Sequence, residues 1–274
     1  MRRKGIKRVL MGMLAALLLF FLLGLDTRLV VRRYMVKADG LTEPVRIVLL
    51  TDFHCCDYGE EQEKLLSAVW AQNPDLVLLG GDWIDDDFGR RPPERGYDAA
   101  RSLAEKYPTY YVSGNHEVWS GYAEEIKREL IACGVDVLEG ESVELTLNGQ
   151  RICLSGVDDP SIGEEVWEEQ MARVQAAGEG YRLLLTHRPE RVESYRGFDL
   201  ILAGHAHGGQ WRIPGLLNGL LAPDQGWFPA YAGGRYELEE GIMVVSRGLA
   251  RETTRVPRFY NRPEIVVIDL VLAD

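Results

Sequence analysis

The chain has 274 residues, of which 46% are hydrophobic and 27% charged, so it can build one medium-sized domain with an appendage and is too apolar for wholesale disorder. Residues 1–40 carry nine Lys or Arg against two Asp, so within a net charge of −11 the remaining residues carry −18. The acidic body repels polyanions and argues against a nucleic-acid-binding role, whereas the basic N-terminal segment suits an anionic membrane surface.

The first 44 residues predict attachment to a membrane. A basic tail over 1–8 precedes 17 uncharged residues, 9–25, which as a helix would span about 25 Å. Because Arg28 can snorkel while 29–31 extend the span, we predict a transmembrane signal anchor over 9–31 and a linker over 32–44. A cleaved signal peptide is the alternative, although the residues after the apolar stretch make a poor cleavage site. We expect a single-pass plasma-membrane protein with its body on the extracytoplasmic side, although five positive charges precede the stretch and four follow it.

Residues 45–274 are predicted to form one α/β domain. Short Val/Ile/Leu runs, typical of strands buried on both faces, occupy 45–50, 76–79, 109–112, 182–185 and 200–203. Stretches with apolar residues at helical spacing occupy 60–72, 97–106, 122–133 and 164–177. Asn148-Gly149 between strand-like runs 143–147 and 151–157 predicts a β-hairpin, so we expect the sheet to be mixed.

Polar side chains follow each of the five strand-like runs. All five histidines of the chain stand in these positions, where the carboxyl ends of strands form the usual ligand crevice. The candidate metal ligands are Asp52, His54, Asp82, Asn115, His187, His205 and His207. Oxygen and imidazole donors suit Mn²⁺, Fe or Zn²⁺ better than copper or an iron–sulfur cluster. This set is too large for one tetrahedral ion and fits two ions that share a carboxylate.

These residues belong to five signatures that resemble, in order, those of the calcineurin-like metallophosphoesterase superfamily. The signatures are Asp52-x-His54, Gly81-Asp82-x-x-Asp85, Gly114-Asn115-His116-Glu117, His187 and Gly204-His205-x-His207. The tail is similar to the YkuE/YaeI-like branch of membrane-associated phosphohydrolases, which includes enzymes acting on UDP-diacylglucosamine. The tail motifs are His207-Gly-Gly-Gln210, Leu221-Ala-Pro-Asp-Gln-Gly226, Ser246-Arg-Gly-Leu249 and Asn261-Arg-Pro-Glu264. The resemblance implies a four-layer αββα sandwich with two mixed β-sheets.

The resemblance also implies a role for each site residue. Two divalent ions, with manganese preferred and Fe or Zn as alternatives, would be bridged by Asp82. Asp52, His54 and His207 would hold the first ion, and Asn115, His187 and His205 the second. A hydroxide between the ions would attack phosphorus. His116 would stabilise or protonate the leaving group and Asp85 would orient it, unless Asp85 is one of three solvated acids at 85–87.

Other residues leave alternatives open. Cys55 and Cys56 are either buried thiols or redox-active ones beside the site. Arg188 would contact phosphate or form a surface ion pair, and Asp158 and Asp159 would line the cleft or cap the next helix. The apolar segment 211–231 either packs over its own core or meets acyl chains of the bilayer.

We therefore expect an enzyme that hydrolyses a phosphodiester or pyrophosphate bond in a lipid-linked or cell-envelope substrate, such as a UDP-diacylglucosamine-like molecule. Soluble nucleotides or phosphoproteins are the alternative substrates. A non-catalytic membrane-tethered scaffold is the alternative of another class, but a scaffold should have lost ligands or the His116 position, and all of them are present. We expect the membrane and the substrate as partners, and neither a nucleic acid nor a protein partner.

Overall fold

The computed structural model describes residues 2–38, 40–178, 180–251 and 257–272. Met1 of the predicted tail, Asp39 of the predicted linker and the last two residues of the predicted domain lie outside the described residues. The helices are α1 Arg2–Gly24, α2 Glu63–Trp70, α3 Glu94–Ala104, α4 Asn115–Trp119, α5 Ala123–Ala132 and α6 Glu164–Gln175. The strands are β1 Val30–Ala38, β2 Val45–Leu50, β3 Leu76–Gly80, β4 Thr109–Val112, β5 Asp136–Val137, β6 Glu141–Leu147, β7 Gln150–Gly156, β8 Tyr181–Leu185, β9 Leu200–Ala203, β10 Leu221–Ala222, β11 Gly226–Trp227, β12 Gly234–Glu237, β13 Ile242–Val245 and β14 Glu264–Leu272.

Most of these strands form two mixed six-stranded sheets. The first has the order β1-β14-β2-β3-β4-β5 and is parallel except where β14 meets β2. The second has the order β12-β13-β9-β8-β7-β6 and is parallel except at its two outer pairs. A short antiparallel ribbon, β10–β11, lies outside both sheets.

Three hydrophobic cores separate four layers. One core lies between the two sheets, a second between the first sheet and helices α2, α3 and α5, and a third between the second sheet and α6. Successive residues of a strand therefore enter different cores: Ile47 and Leu49 of β2 face the other sheet, while Val48 and Leu50 face the helices. Burial on both faces explains why the strands are mostly apolar, and the four layers confirm the predicted αββα sandwich with two mixed sheets.

The hairpin is also as predicted. Its strands β6 and β7 are joined by Asn148 and Gly149, which have φ of 50° and 78°. Positive φ at both positions is what a type I′ turn requires, and Asn followed by Gly adopts it at low cost.

The predicted linker over 32–44 is wrong in its first half. Residues 30–38 form β1, which pairs in parallel with β14 at the edge of the first sheet. The strand alternates, with Tyr34 and Val36 turned to the core between the sheets and the basic residues exposed. An edge strand that is covered on one face carries exposed charges, as a linker does, so the sequence of this segment does not distinguish the two.

The same strand corrects the end of the predicted anchor. Helix α1 ends at Gly24, and Val30 and Val31 belong to β1 rather than to the helix. Residues Ile6–Gly24 are long and apolar enough to cross a membrane, a test that a signal sequence also passes. The last turn of α1 packs against the body, because the Tyr260 amide donates to the Gly24 carbonyl at 2.6 Å and the Phe20 and Phe21 rings contact Phe259.

Candidate dinuclear metal site

The predicted ligands all lie at the carboxyl ends of central strands. Asp52 and His54 follow β2, Asp82 follows β3, Asn115 begins α4 after β4, and the remaining histidines follow β8 and β9. All seven side chains are buried. Because β2, β3 and β4 belong to one sheet and β8 and β9 to the other, the site lies where the ends of the two sheets meet.

The backbone at the site is strained. Five of the seven candidates have left-handed backbone, with φ of 51° at Asp52, 47° at His54, 49° at Asp82, 66° at His205 and 46° at His207. Residues other than glycine rarely adopt positive φ, and such strain persists mainly where function requires a fixed geometry. The sharp turns direct side chains from two sheets toward a common centre.

Four of the candidates form a first group, in which Asp52, His54, Asp82 and His207 bring donor atoms within 4.8 Å of one another. His54 Nε2 lies 3.5 Å from Asp82 Oδ2, and His207 Nε2 lies 3.8 Å from Asp52 Oδ1. These separations leave space for an ion among the donors.

A second group shares Asp82 with the first. His187 Nε2 lies 3.2 Å from Asp82 Oδ2 and 3.3 Å from His205 Nδ1. The Asn115 Oδ1 atom is buried and has no hydrogen-bond partner among the described residues. Asp82 is thus common to a first group with Asp52, His54 and His207 and a second group with His187 and His205.

The chemistry of the donors fits cations. His54 Nε2 and Asn115 Oδ1 are buried atoms without a hydrogen-bond partner in the described part of the chain. Because buried polar atoms are nearly always paired, these two lack a partner that a metal ion would supply. Burial alone would raise the pKa of Asp82, but His187 and His54 hold the pKa of this carboxyl well below its usual range. The carboxylate is therefore ionised near neutral pH, as a metal ligand must be.

Three of the histidine rings are held from behind. His187 Nδ1 donates to the Gly80 carbonyl at 2.8 Å, so its Nε2 faces the centre. His54 Nδ1 lies 3.0 Å from Asp85 Oδ2, and His205 Nε2 lies 2.9 Å from Asp224 Oδ2. A carboxylate or carbonyl behind a histidine fixes its tautomer and raises its basicity as a metal ligand.

The predicted hydrogen bond between Asp85 and His116 is not the one that forms. His116 Nδ1 lies 2.7 Å from Asp86 Oδ1, whereas Asp85 is buried between His54 and Arg91, whose Nη1 is 2.5 Å from Asp85 Oδ2. The Asp87 amide donates to Asp85 Oδ1 at 2.9 Å and helps to hold the carboxylate inward. Asp85 is thus neither a solvated acid nor the partner of His116.

His116 stands at the exposed side of the first group. Its ring is 4.4 Å from the His54 ring, and its backbone amide donates to Asp82 Oδ1 at 2.9 Å. Burial alone would lower the pKa of His116, but the charges of Asp82 and Asp86 raise it above its usual value. The protonated form is therefore favoured at this position.

Glu117 has a structural role that the sequence did not reveal. Its buried carboxylate accepts hydrogen bonds from the backbone amides of Asp82, Ile84 and Gly114, at 3.1, 2.9 and 2.9 Å. The side chain therefore joins the loop after β3 to the loop after β4. Gly114 must be glycine here, because a Cβ would lie 2.2 Å from Asp82 Oδ1.

Replacing Glu117 with Ala should destabilise the protein. Three buried amides lose their acceptor, so we expect about 3 kcal/mol or more of lost stability and a fall in melting temperature of roughly 10 °C. Thermal unfolding of the full chain in neutral detergent measures the change. The exposed Glu168 on α6 is a matched control, for which Glu168→Ala should leave the melting temperature nearly unchanged; an equal effect in both variants would contradict the role of Glu117.

Arg188 connects the second group to a loop outside it. Its guanidinium forms a two-point ion pair with Asp159, at 2.5 and 3.0 Å, contacts Asp224 and lies 3.2 Å from His205 Nε2. Arg188 is buried, so the alternative that it forms an ion pair at the surface is wrong. Asp224 was not predicted as a site residue, although it lies within the tail motif 221–226.

Replacing Asp224 with Asn should weaken metal binding at the second group. Loss of the charge behind His205 is expected to reduce affinity by about tenfold to a hundredfold, the usual effect of removing a partner behind a ligand. Titration of the metal-free full chain with Mn²⁺, followed by electron paramagnetic resonance, measures this. The exposed Asp136 provides the control Asp136→Asn, and unchanged affinity in Asp224→Asn would exclude the role.

The other open residues have structural partners. Asp159 holds Arg188 and also caps the turn at Pro160–Ile162 by accepting from the Ser161 amide at 2.8 Å. Asp158 pairs with Lys127 at 3.1 Å. All four cysteines are buried free thiols, and burial raises the pKa of Cys55 to about 12, so this thiol stays neutral.

The fold and the site together define a metallophosphoesterase, an enzyme class that hydrolyses phosphate esters with bound metal ions. Residues 45–209 match the model of the calcineurin-like phosphoesterase family, which is more than half of the chain, and the chain therefore belongs to this family.

Two relatives cover most of the chain. The chain is 28% identical to the metallophosphoesterase YkuE of Bacillus subtilis over 232 residues, and the alignment covers 82% of this chain and 78% of YkuE. It is 30% identical to the phosphodiesterase YaeI of Escherichia coli over 237 residues, and the alignment covers 83% of both chains. Among solved structures, the phosphopantetheinyl hydrolase PptH of Mycobacterium tuberculosis superposes with a TM-score of 0.51 at 10% identity, over 79% of this chain and 95% of PptH. That likeness supports the fold alone.

Proposed function

We propose that the chain is a dinuclear-metal phosphodiesterase that is anchored in the membrane and acts on a phosphodiester or pyrophosphate bond. The observation that carries this proposal is the position of Asp82, whose carboxylate belongs to both ligand groups. A shared carboxylate suits two ions, and two ions suit in-line displacement at phosphorus. The name of the relative YaeI supports a diester rather than a monoester.

In this proposal Asp52, His54 and His207 would hold the first ion, Asn115, His187 and His205 would hold the second, and Asp82 would contribute to both. When bound, the ions would supply Lewis acidity and a nucleophilic hydroxide near neutral pH. Oxygen and imidazole donors without a thiolate suit manganese, iron or zinc, and among these we expect manganese, as the family resemblance implies. Asp85 and Asp224 act through His54 and His205, as positioning residues.

His116 would act on the leaving group. Its ring is partly exposed at the mouth of the site, and the raised pKa favours the protonated form that can donate a proton. Asp86, at 2.7 Å from His116 Nδ1, holds the ring so that Nε2 points away from it. This assigns to Asp86 the orienting role that was predicted for Asp85.

The substrate would be lipid-linked, and the body would lie on the extracytoplasmic side of the plasma membrane. Three apolar side chains on the segment after His207 support this, because Leu216, Trp227 and Phe228 are 82%, 67% and 68% exposed. The Phe228 amide donates to Leu220, whose amide donates to Gly209 in the turn that carries His207. Backbone hydrogen bonds therefore link this exposed apolar segment to the turn that carries His207. Acyl chains of a substrate would contact the segment beside the metal site.

Turnover tests the reaction class. The full chain in neutral detergent with Mn²⁺ should hydrolyse bis-p-nitrophenyl phosphate faster than p-nitrophenyl phosphate, and a chelator should abolish both rates. Faster monoester hydrolysis would replace the diesterase assignment with a phosphatase. No turnover with any divalent metal, although metal binds, would favour a scaffold and overturn the proposal.

A pair of matched substrates tests the lipid preference. UDP-diacylglucosamine and UDP-N-acetylglucosamine share the pyrophosphate and differ in their acyl groups. We expect kcat/KM to be at least tenfold higher for the diacyl compound, since burial of even a few methylenes contributes about 0.8 kcal/mol each. Equal values would place the enzyme among those acting on soluble nucleotides.

A further inference from the structure

A cavity of about 400 Å³ lies beside Tyr260, where the end of α1 meets the body. None of the candidate metal ligands lines it. Its polar wall contains three arginines, Arg32 of β1, Arg212 and Arg247, and its apolar wall contains Ile213 and Leu216. No residue among the described ones that line the cavity is acidic.

The positive charge in this cavity is only partly compensated. Arg247 pairs with the buried Glu264 at 2.6 Å, and Arg32 lies 3.8 Å from the same carboxylate. The Arg212 guanidinium instead contacts neutral groups, donating to the carbonyls of Gly208 and Asn218 at 3.2 and 2.7 Å. One carboxylate therefore faces three guanidinium groups. Burial, and then the charge of Arg247, lower the pKa of Arg212 to about 10, which still leaves it cationic near neutral pH.

The cavity lies next to the C-terminal end of α1, where the helix meets the body. Tyr260, which lines the cavity, donates through its backbone amide to Gly24 and through its hydroxyl to the Phe20 carbonyl at 2.9 Å. The rim residue Leu216 is largely exposed. If α1 spans a bilayer, its end lies at the level of the lipid headgroups, where arginines meet phosphates and exposed apolar side chains meet acyl chains.

We propose that this cavity binds the phosphate of one anionic phospholipid, with the acyl chains lying along Ile213 and Leu216. The proposal rests on the membrane attachment in the proposed function, but it does not depend on catalysis. Guanidinium groups bind phosphate oxygens with paired, charge-assisted hydrogen bonds, and three of them around one small cavity suit a single headgroup. The lipid would fix the body against the bilayer beside α1.

Native mass spectrometry of the full chain in neutral detergent tests this binding. The chain is titrated with dioleoyl phosphatidylglycerol, dioleoyl phosphatidylcholine or inorganic phosphate. We expect one phosphatidylglycerol to be retained with at least tenfold higher affinity than phosphatidylcholine, and millimolar phosphate not to displace it. Equal retention of the two lipids would overturn the proposal, and displacement by phosphate would show a free-anion site instead.

Two adjacent arginines provide the matched variants. Arg32→Gln removes a guanidinium from the cavity and should weaken phosphatidylglycerol binding by about tenfold. Arg33 is the next residue of β1 and points to the opposite face, where it lies 3.6 Å from Asp269, so Arg33→Gln should change the affinity by less than twofold. An equal loss in both variants would show that diffuse charge, rather than the cavity, attracts the lipid.

The same sample separates this proposal from the proposed function. Its intact mass shows whether residues 1–25 are retained. Loss of this segment would overturn the proposal, because α1 would then not hold the cavity at the bilayer. Turnover of bis-p-nitrophenyl phosphate by the unmodified chain tests catalysis alone. Turnover without selective lipid retention would overturn the cavity assignment only, and lipid retention without turnover would overturn the proposed reaction only.

Discussion

Replacing Asp82 with Asn should reduce kcat/KM for bis-p-nitrophenyl phosphate by about a thousandfold or more. Asp82 is the one carboxylate common to both ligand groups, and its Oδ2 atom lies 3.5 Å from His54 and 3.2 Å from His187. A neutral amide in its place lowers the binding affinity for both cations. Metal ions supply several kcal/mol of transition-state stabilisation, and each 1.4 kcal/mol is a factor of about ten in rate.

Metal content and rate should fall together in this variant. Elemental analysis of the purified full chain should find fewer than two ions in Asp82→Asn, while Asp136→Asn, an exposed carboxylate on β5, keeps the metal content and rate of the unmodified protein. An Asp82→Asn variant that keeps two ions and a tenth of the rate would show that Asp82 does not bridge them.

His116→Gln is expected to lower kcat by about a hundredfold to ten-thousandfold on a substrate with a poor leaving group, without loss of metal. The expected size is that of general acid catalysis by one positioned side chain. A p-nitrophenolate leaving group needs no proton, so the loss should be much smaller with bis-p-nitrophenyl phosphate. The comparison of that substrate with a diester of an alkyl alcohol therefore isolates proton donation from other effects of the substitution.

The neighbouring acids distinguish the two roles at this position. Asp86→Asn should reproduce part of the His116→Gln defect, because Asp86 holds the His116 ring. Asp85→Asn should instead reduce metal affinity, because Asp85 lies behind His54. A loss of rate with alkyl leaving groups in Asp85→Asn, at full metal content, would restore the role that the sequence predicted. An equal loss in His116→Gln with both leaving groups would exclude proton donation.

Much of the fold could be predicted because its strands are buried on both faces. Leu76–Gly80 is apolar throughout and Val45–Leu50 is apolar except for Arg46, since each face of the first sheet meets a separate core. The ligands directly follow these strands, so the same pattern that located the strands also located the site. The division of the ligands into two groups came from the family resemblance, and the structure shows Asp82 in two groups of donor atoms.

The remaining features depend on contacts between distant parts of the chain. β1 is a strand because β14, more than 200 residues later, pairs with it, and a basic edge strand looks like a linker in the sequence. Asp224 reaches His205 from the turn of the β10–β11 ribbon, whose two-residue strands are too short to give a periodic pattern in the sequence. Asp85 and Asp86 are adjacent carboxylates, and only the direction of each side chain decides which histidine it meets.

Metal stoichiometry coupled to turnover tests the dinuclear mechanism most directly. The full chain, stripped with a chelator and dialysed, is titrated with Mn²⁺ while bound metal and hydrolysis of bis-p-nitrophenyl phosphate are measured on the same samples. We expect no turnover without metal, full turnover at two bound ions per chain, and no recovery in Asp82→Asn at the same free Mn²⁺ concentration. Full turnover in the metal-free chain, or at one bound ion per chain, would contradict a dinuclear mechanism.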